Sequence, residues 1–388
     1  MPPAETRRPQ LKHTSPTFGS GDTVFIGGYG EVTEIADPTG AIRRLLDLLD
    51  GTRTTGEVHQ ALTADFPEVT RQDVEEAVAQ FDEAQFLLDA QQTSDGVLEA
   101  HELKRWERNI NFFGSFARMD DNKYDQQRKL RDCRVTLLGL GGLGSHILLD
   151  MAAMGIGHVR AVEFDRVELS NLNRQILYRE EDIGQQKLHL AVERVKQFNP
   201  HIDIEPVDMK IGSVEDVIRV LDGSDVVISV ADRPKMEIAN WVNEACVRTG
   251  VPLITGGLET QRAVYFTMLP GRTGCIECWR RQTFASDAVA GQLLEEKRER
   301  QIGGDNAAFC PLVTMTTGFL IGELTRLVTG IAPPVAAGRL MELRFADYAM
   351  GESERWERQS DCPVCGTAAG SGAQGTQGAQ AAGLTVSG

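Results

Sequence analysis

The chain has 388 residues, 41% hydrophobic and 25% charged, ordinary globular values that leave room for two or three folded units and exclude a wholly disordered, collagen-like or fibrous chain. Forty Lys and Arg against fifty-six Asp and Glu give a net charge of −16, a field that repels phosphate backbones and anionic lipid, so neither nucleic acid nor membrane is an expected partner. The start, Met1-Pro2-Pro3-Ala4-Glu5-Thr6-Arg7-Arg8, lacks a signal-peptide core, and no run of about 20 apolar residues could span a bilayer, so the expected compartment is the cytoplasm.

Residues 1–18 are polar and read as a disordered tail. Residues 19–93 read as a small α+β domain, winged-helix-like. Thr23–Ile26 and Val32–Ile35 flank Gly27-Gly28-Tyr29-Gly30 as a β-hairpin. Asp37-Pro38 supplies an N-cap with Pro at the first helical position, and Ile42, Leu45, Leu46 and Leu49 keep helical spacing. Thr54 with Glu57, and Thr70 with Asp73, are capping boxes opening two further helices. Residues 41–90 carry four arginines, no lysine and eleven acids, the wrong sign for DNA, which leaves a structural or peptide-binding module whose hairpin edge could accept an extended peptide. Residues 94–129 form a linker and helical connector, and residues 130–366 alternate strands with amphipathic helices, the pattern of an α/β domain with a mostly parallel, Rossmann-like sheet. Residues 367–388, rich in Gly, Ala and Gln, read as a second disordered tail.

Val135-Thr136-Leu137-Leu138 is a strand followed by Gly139-Leu140-Gly141-Gly142-Leu143-Gly144 and then a helix, the order in which a glycine loop brings backbone N–H groups to phosphates. A second strand, Val159–Val162, ends in Glu163, where a ribose-binding acid belongs. Cys275/Cys278 and Cys362/Cys365 are two CxxC pairs, suited to a closed tetrahedral and therefore structural Zn²⁺ site; a redox CxxC would stand without a distant twin. Cys133 and Cys246 lie in apolar contexts and read as inert core, whereas Cys310 follows a polar stretch.

The segment Glu163-Phe164-Asp165-Arg166-Val167-Glu168-Leu169-Ser170-Asn171-Leu172-Asn173-Arg174-Gln175 resembles the signature of the ThiF/MoeB/HesA adenylating superfamily, and Gly184-Gln185-Gln186-Lys187, Asp225–Asp232 and the CxxC pairs extend the likeness over roughly residues 105–366. The resemblance implies ATP-dependent formation of an acyl-adenylate. Gly139, Gly141, Gly142, Gly144, Glu163 and Asp165 would then bind the nucleotide, Asn171, Arg174 and Lys187 would contact its phosphates, and Asp232, followed by Arg233 where the family often has Asn, would carry Mg²⁺. Arg105-Trp106-Glu107-Arg108-Asn109 resembles the family's Arg-aromatic-x-Arg element, which implies a homodimer with Arg108 reaching a partner's site, and Cys310 would stand where some members carry an acceptor thiol.

Residues 19–93 resemble, in length and element order, the PqqD-like peptide-recognition element, and the fusion is similar to that of microcin C-type adenylating enzymes. The first reading is therefore adenylation of a carboxyl or amide group of a ribosomal precursor peptide guided by its leader. Two alternatives stand beside it: activation of the C-terminal glycine of a sulfur-carrier or ubiquitin-like protein, and a non-catalytic leader-binding scaffold for a cyclodehydratase. Arg174, Lys187 and Asp232 together speak against the scaffold.

Overall fold

Residues far apart in sequence build two units: residues 1–133 with 153–157 and 325–333, and residues 134–152 with 158–324 and 334–388. The structure, a computed structural model, describes residues 6–28, 31–235, 237–287, 289, 291–293, 296 and 307–366. The expected C-terminal tail and the polar stretch before Cys310 lie outside the described residues.

In the first unit, β2 (Thr17–Ser20), β3 (Thr23–Gly28) and β4 (Glu31–Ala36) form an antiparallel sheet in that order, so the expected hairpin gains a third strand. Helices α1 (Ala41–Leu48), α2 (Thr55–Thr63) and α3 (Arg71–Glu83) follow. Both capping boxes form: the hydroxyls of Thr54 and Thr70 accept from the backbone N–H of Glu57 and Asp73, whose carboxylates accept in return. The start of α1 differs from expectation. Pro38-Thr39-Gly40 intervene before Ala41, and the Asp37 carboxylate reaches over them to accept from Ile42 N and Arg43 N, each at 3.0 Å. Val24, Ile26, Leu45, Leu49, Val58 and Leu62 are among the side chains that close this core.

Over residues 6–18 the expected tail requires correction. β1 (Pro9–Leu11) pairs antiparallel with β5 (Leu87–Asp89), and the buried Lys12 ammonium donates to the carbonyls of Ser115 (3.0 Å) and Ala117 (2.6 Å). Backbone pairing and a buried cation need no apolar run, so the segment looked featureless in sequence. The connector likewise folds with this unit, as α4 (Ala100–Arg105), α5 (Glu107–Phe116) and α6 (Lys123–Asp132), with Trp106, Ile110 and Phe113 buried.

The second unit contains an eight-stranded sheet. Its parallel part runs β8 (Asp203–Val207), β7 (His158–Val162), β6 (Arg134–Leu138), β9 (Val226–Ser229), β10 (Leu253–Glu259), and antiparallel β11 (Arg262–Met268), β12 (Arg339–Arg344) and β13 (Met350–Arg355) extend it. Parallel neighbours need long crossovers, which contain α7 (Gly142–Met154), α8 (Lys187–Phe198), α9 (Val214–Leu221) and α10 (Glu237–Thr249). The central strand β9 is buried throughout, as a strand covered on both faces must be. Two further helices among the described residues are α11 (Ile276–Ser286) and α12 (Cys310–Thr329). At the far edge, β13 is exposed along its whole length and carries Glu352, Glu354 and Arg355, charges that discourage edge pairing. Among the described residues, no helix is long and apolar enough to cross a membrane.

Candidate functional site

The chain runs from β6 through β7 to β8 at one edge, then returns to place β9 on the other side of β6. At such a switch point the crossovers diverge and leave a crevice at the carboxyl ends of the strands. A cavity of about 750 Å³ opens there, lined from β6 by Gly139, from β7 by Glu163 and from β9 by Asp232.

Gly139 holds φ of 92°, and a Cβ on it would lie 3.1 Å from the backbone of Ala231, so only glycine lets the β6 and β9 ends approach this closely. Gly141 and Gly142 line the cavity at the start of α7, and the Arg174 side chain lies against Gly142. Gly144 corrects an expectation. It is not among the lining residues, and a Cβ there would meet the Gly139 carbonyl oxygen at 1.8 Å, so its role is close packing of α7 onto the loop.

Asn171, Arg174, Lys187 and Asp232 all line the cavity, as do Glu163 and Asp165. The buried Glu163 carboxylate accepts from the backbone N–H of Leu140 (2.7 Å), Phe164 (2.8 Å) and Asp165 (2.9 Å), which fixes the glycine loop to the end of β7. Lys187 is buried at the first position of α8, its Nζ 3.6 Å from an Asp165 carboxylate oxygen. A short ladder sets that distance: Val167 N donates to Gln185 O, Gly184 N to Val167 O and Lys187 N to Asp165 O. Asn171 Oδ1 accepts from Glu168 N at 3.2 Å, and the Arg174 guanidinium donates to Ser170 O and Asn173 Oδ1. The cations of Arg174 and Lys187 and the carboxylates of Glu163, Asp165 and Asp232 thus share one crevice with a helix start, an arrangement that can hold a polyphosphate and a divalent cation.

Several supporting residues escaped the sequence reading. Gln175 is buried in the cavity wall, and its Oε1 has no hydrogen-bond partner among the described residues, as expected of a wall that awaits a donor. On α7, His146 Nε2 lies 2.9 Å from Arg174 O. Tyr178 donates to Leu140 O at 2.9 Å, and burial pushes its phenol up from the ordinary value. Asp182 and Arg194 form a bidentate pair at 2.6 and 2.9 Å beneath the segment leading to Lys187. Of these only Gln175 lay inside a recognised motif.

Cys275, Cys278, Cys362 and Cys365 are buried, with all four Sγ atoms within 4.8 Å of one another. The pairs 275–278, 275–362 and 278–365 stand at 3.9, 3.7 and 3.3 Å. A tetrahedral Zn²⁺ with bonds of about 2.3 Å sets its sulfurs about 3.8 Å apart, so the cluster fits that ion. Burial raises the Cys275 thiol and pushes Cys278 up to about 11, so thiolates here call for a cation. Cys133 and Cys246 are core residues, the latter with its thiol raised by burial. Cys310 is half-buried at the start of α12. Arg108 is exposed in the first turn of α5, in the first unit, and is not among the residues lining the cavity.

Comparison with known proteins agrees with this geometry. The "Sulfur carrier protein ThiS adenylyltransferase" of Escherichia coli is 32% identical over 257 residues, 64% of this chain and 92% of its own. The "SAMP-activating enzyme E1" of Haloferax volcanii is 32% identical over 270 residues, 69% of this chain and 91% of its own. Among solved structures, E. coli MccB with selenomethionine MccA superposes with a TM-score of 0.74 at 21% identity, over 92% of this chain and 99% of that one, a likeness of fold that extends beyond residues 134–366. The model of the ThiF family matches residues 110–364: the chain belongs to the ThiF family and is an ATP-dependent adenylyltransferase of the ThiF/MoeB type.

Proposed function

We propose that the enzyme adenylates a carboxyl or amide oxygen of a ribosomal precursor peptide whose leader binds the N-terminal unit. The observation that carries this reading is the N-terminal sheet itself: β2 and β4 pair only with β3 among the described residues, which leaves edges available for an extended peptide. The small unit also accounts for much of the chain beyond the family match, and MccB, the structural neighbour, was solved with MccA. The leader adds beside the β3–β4 hairpin in the manner of PqqD-like elements. It thereby raises the local concentration of the reacting end, so contacts at that end can be few.

At the nucleotide, the substrate oxygen attacks the α-phosphorus of ATP, the bond to the bridging oxygen breaks, and pyrophosphate leaves. The chain's own work is positioning and charge stabilisation. Glu163 holds the loop that faces the ribose, Arg174 and Asn171 receive phosphate oxygens, and Lys187 stabilises the charge that builds on phosphorus. The Gln175 side chain offers its unpartnered oxygen to a donor on nucleotide or substrate. Asp232 would hold Mg²⁺, which would offset the triphosphate charge. Zn²⁺ on the four cysteines is structural, since they leave no open position. Arg108 serves the neighbouring site in a homodimer.

The second reading, activation of the C-terminus of a sulfur-carrier or ubiquitin-like protein, is favoured by the names of the relatives at 32% identity. Fluorescence anisotropy of a labelled leader with the full chain, together with ATP–pyrophosphate exchange, separates the two. Peptide-dependent exchange, weakened by a Pro in the paired stretch of the leader, supports the first. Exchange driven by a carrier protein and indifferent to leader peptide overturns it in favour of the second.

A further inference from the structure

We infer that His146 is a positioning residue for the nucleotide: it holds the backbone of Arg174 so that the guanidinium faces the phosphates. The inference rests on the reading of Arg174 as a phosphate-binding cation and adds the residue that places it. Arg174 lines the nucleotide cavity and His146 does not, so His146 acts through the arginine rather than on the ligand.

His146 stands on α7, one helical turn beyond Gly142, the helix start that lines the cavity. It is buried, and its Nε2 lies 2.9 Å from Arg174 O. A carbonyl oxygen can only accept, so Nε2 carries the hydrogen and donates, whether the ring is neutral or cationic. Arg174 N donates in turn to Asn171 O at 3.1 Å. Both backbone polar groups of Arg174 are therefore engaged, one within its own turn and one by the helix that begins at the glycine loop.

The guanidinium, by contrast, is held locally. Among the described residues its hydrogen bonds run to Ser170 O at 3.1 Å and Asn173 Oδ1 at 2.8 Å, both within its own segment, and its stem packs against Gly142. Where the charge sits in the cavity therefore follows where residues 170–175 sit relative to the glycine loop. Tyr178 ties the end of this stretch to the loop by donating to Leu140 O at 2.9 Å, and His146 ties the arginine itself to α7. A half-buried arginine has many rotamers to lose, so a backbone fixed before the ligand arrives lowers the ordering cost of binding.

The test is isothermal titration of the full chain with MgATP and, separately, with adenosine, which lacks the phosphates. His146→Ala should weaken ATP binding about three- to tenfold, as loss of one hydrogen bond does, and leave adenosine affinity unchanged, whereas a general loosening of the fold would weaken both. Gln places an amide N–H where Nε2 stands, so His146→Gln should retain ATP affinity. His146→Asn, whose amide ends short of that point, should lose it as Ala does, and this pair carries the test should the Ala variant not fold. In an Arg174→Ala background, His146→Ala should cost nothing further. If Arg174→Ala alone leaves ATP affinity unchanged, the phosphate reading of Arg174 fails and takes the inference with it. If Arg174→Ala weakens ATP binding but the His146 changes do not, or the two losses add, or adenosine affinity falls equally, the inference alone is overturned.

Discussion

Replacement of Asp182 by Asn isolates the buried ion pair that Asp182 forms with Arg194. The Asp182 carboxylate accepts from Arg194 Nη1 at 2.6 Å, Arg194 Nη2 at 2.9 Å and Arg179 N at 2.6 Å, and the two side chains of the pair are only 3% and 16% exposed. Asn retains the shape but leaves the Arg194 cation unneutralised and turns an NH₂ group toward a donor. Breaking a buried pair in this way costs about 3–5 kcal/mol, against a total stability of about 5–15 kcal/mol. For a unit of this size the melting temperature should fall by about 6–20 °C. Differential scanning calorimetry of the full chain reads that shift. Adding Arg194→Met should recover part of it, because an apolar side chain needs no counter-charge. The hydrogen bonds from Arg194 hold the Asp182 carboxyl below its usual range. Its stabilisation is therefore present above the unfolded-state value of about 3.9 and is lost as pH falls toward the folded value; the variant should lack that acid limb. A melting temperature within about 1 °C of wild type, or no recovery in the double variant, would refute the reasoning.

Lys187→Ala should slow ATP–pyrophosphate exchange about 100-fold or more, the loss expected when one donor to a developing charge is removed; unchanged turnover would take Lys187 out of the reaction. Elemental analysis should find about one Zn per chain, and titration with a chelator should release it more readily as pH falls, because protons compete for the thiols that burial raises, with Cys278 at about 11. Gly144→Ala should disrupt nucleotide binding, measured by isothermal titration, because its Cβ would meet Gly139 O at 1.8 Å. Burial lowers Lys12 to about 8, so the unfolded chain binds the extra proton between that value and about 10.4. Stability should therefore rise with pH across that window, and urea titrations of Lys12→Met should lack this rise.

What could be read in the sequence was information carried within a few residues. Thr54 and Thr70 announce their helices because cap and partner are three positions apart, and the glycine loop is legible because strand, turn and helix are contiguous. The two CxxC pairs could be joined across 87 positions only because thiolate chemistry gives them a common ligand. Other features depend on meetings that no local pattern encodes. β1 finds β5 from about 80 residues away, Arg339 meets Arg355 through the register of a hairpin, and the Gln175 oxygen is unpartnered only in the finished wall. Gly144 shows the converse: it belongs to the recognised loop, yet it serves packing rather than ligand contact.

The pairing of β1 with β5 also decides where the small unit can be cut. A fragment bounded by residues 19 and 93 would strip β5 of its neighbour and lose Lys12, whose ammonium satisfies two carbonyls at the end of α5. It would also sever Asp82 from Arg118 and from the backbone N–H of Met119, which approach that buried carboxylate from beyond residue 93. Grafts or deletions meant to swap peptide selectivity should therefore move Pro9 through Asp132 as one piece. An exchange made at the compositional boundary would expose a β-edge and a buried acid together, and would report misfolding rather than specificity.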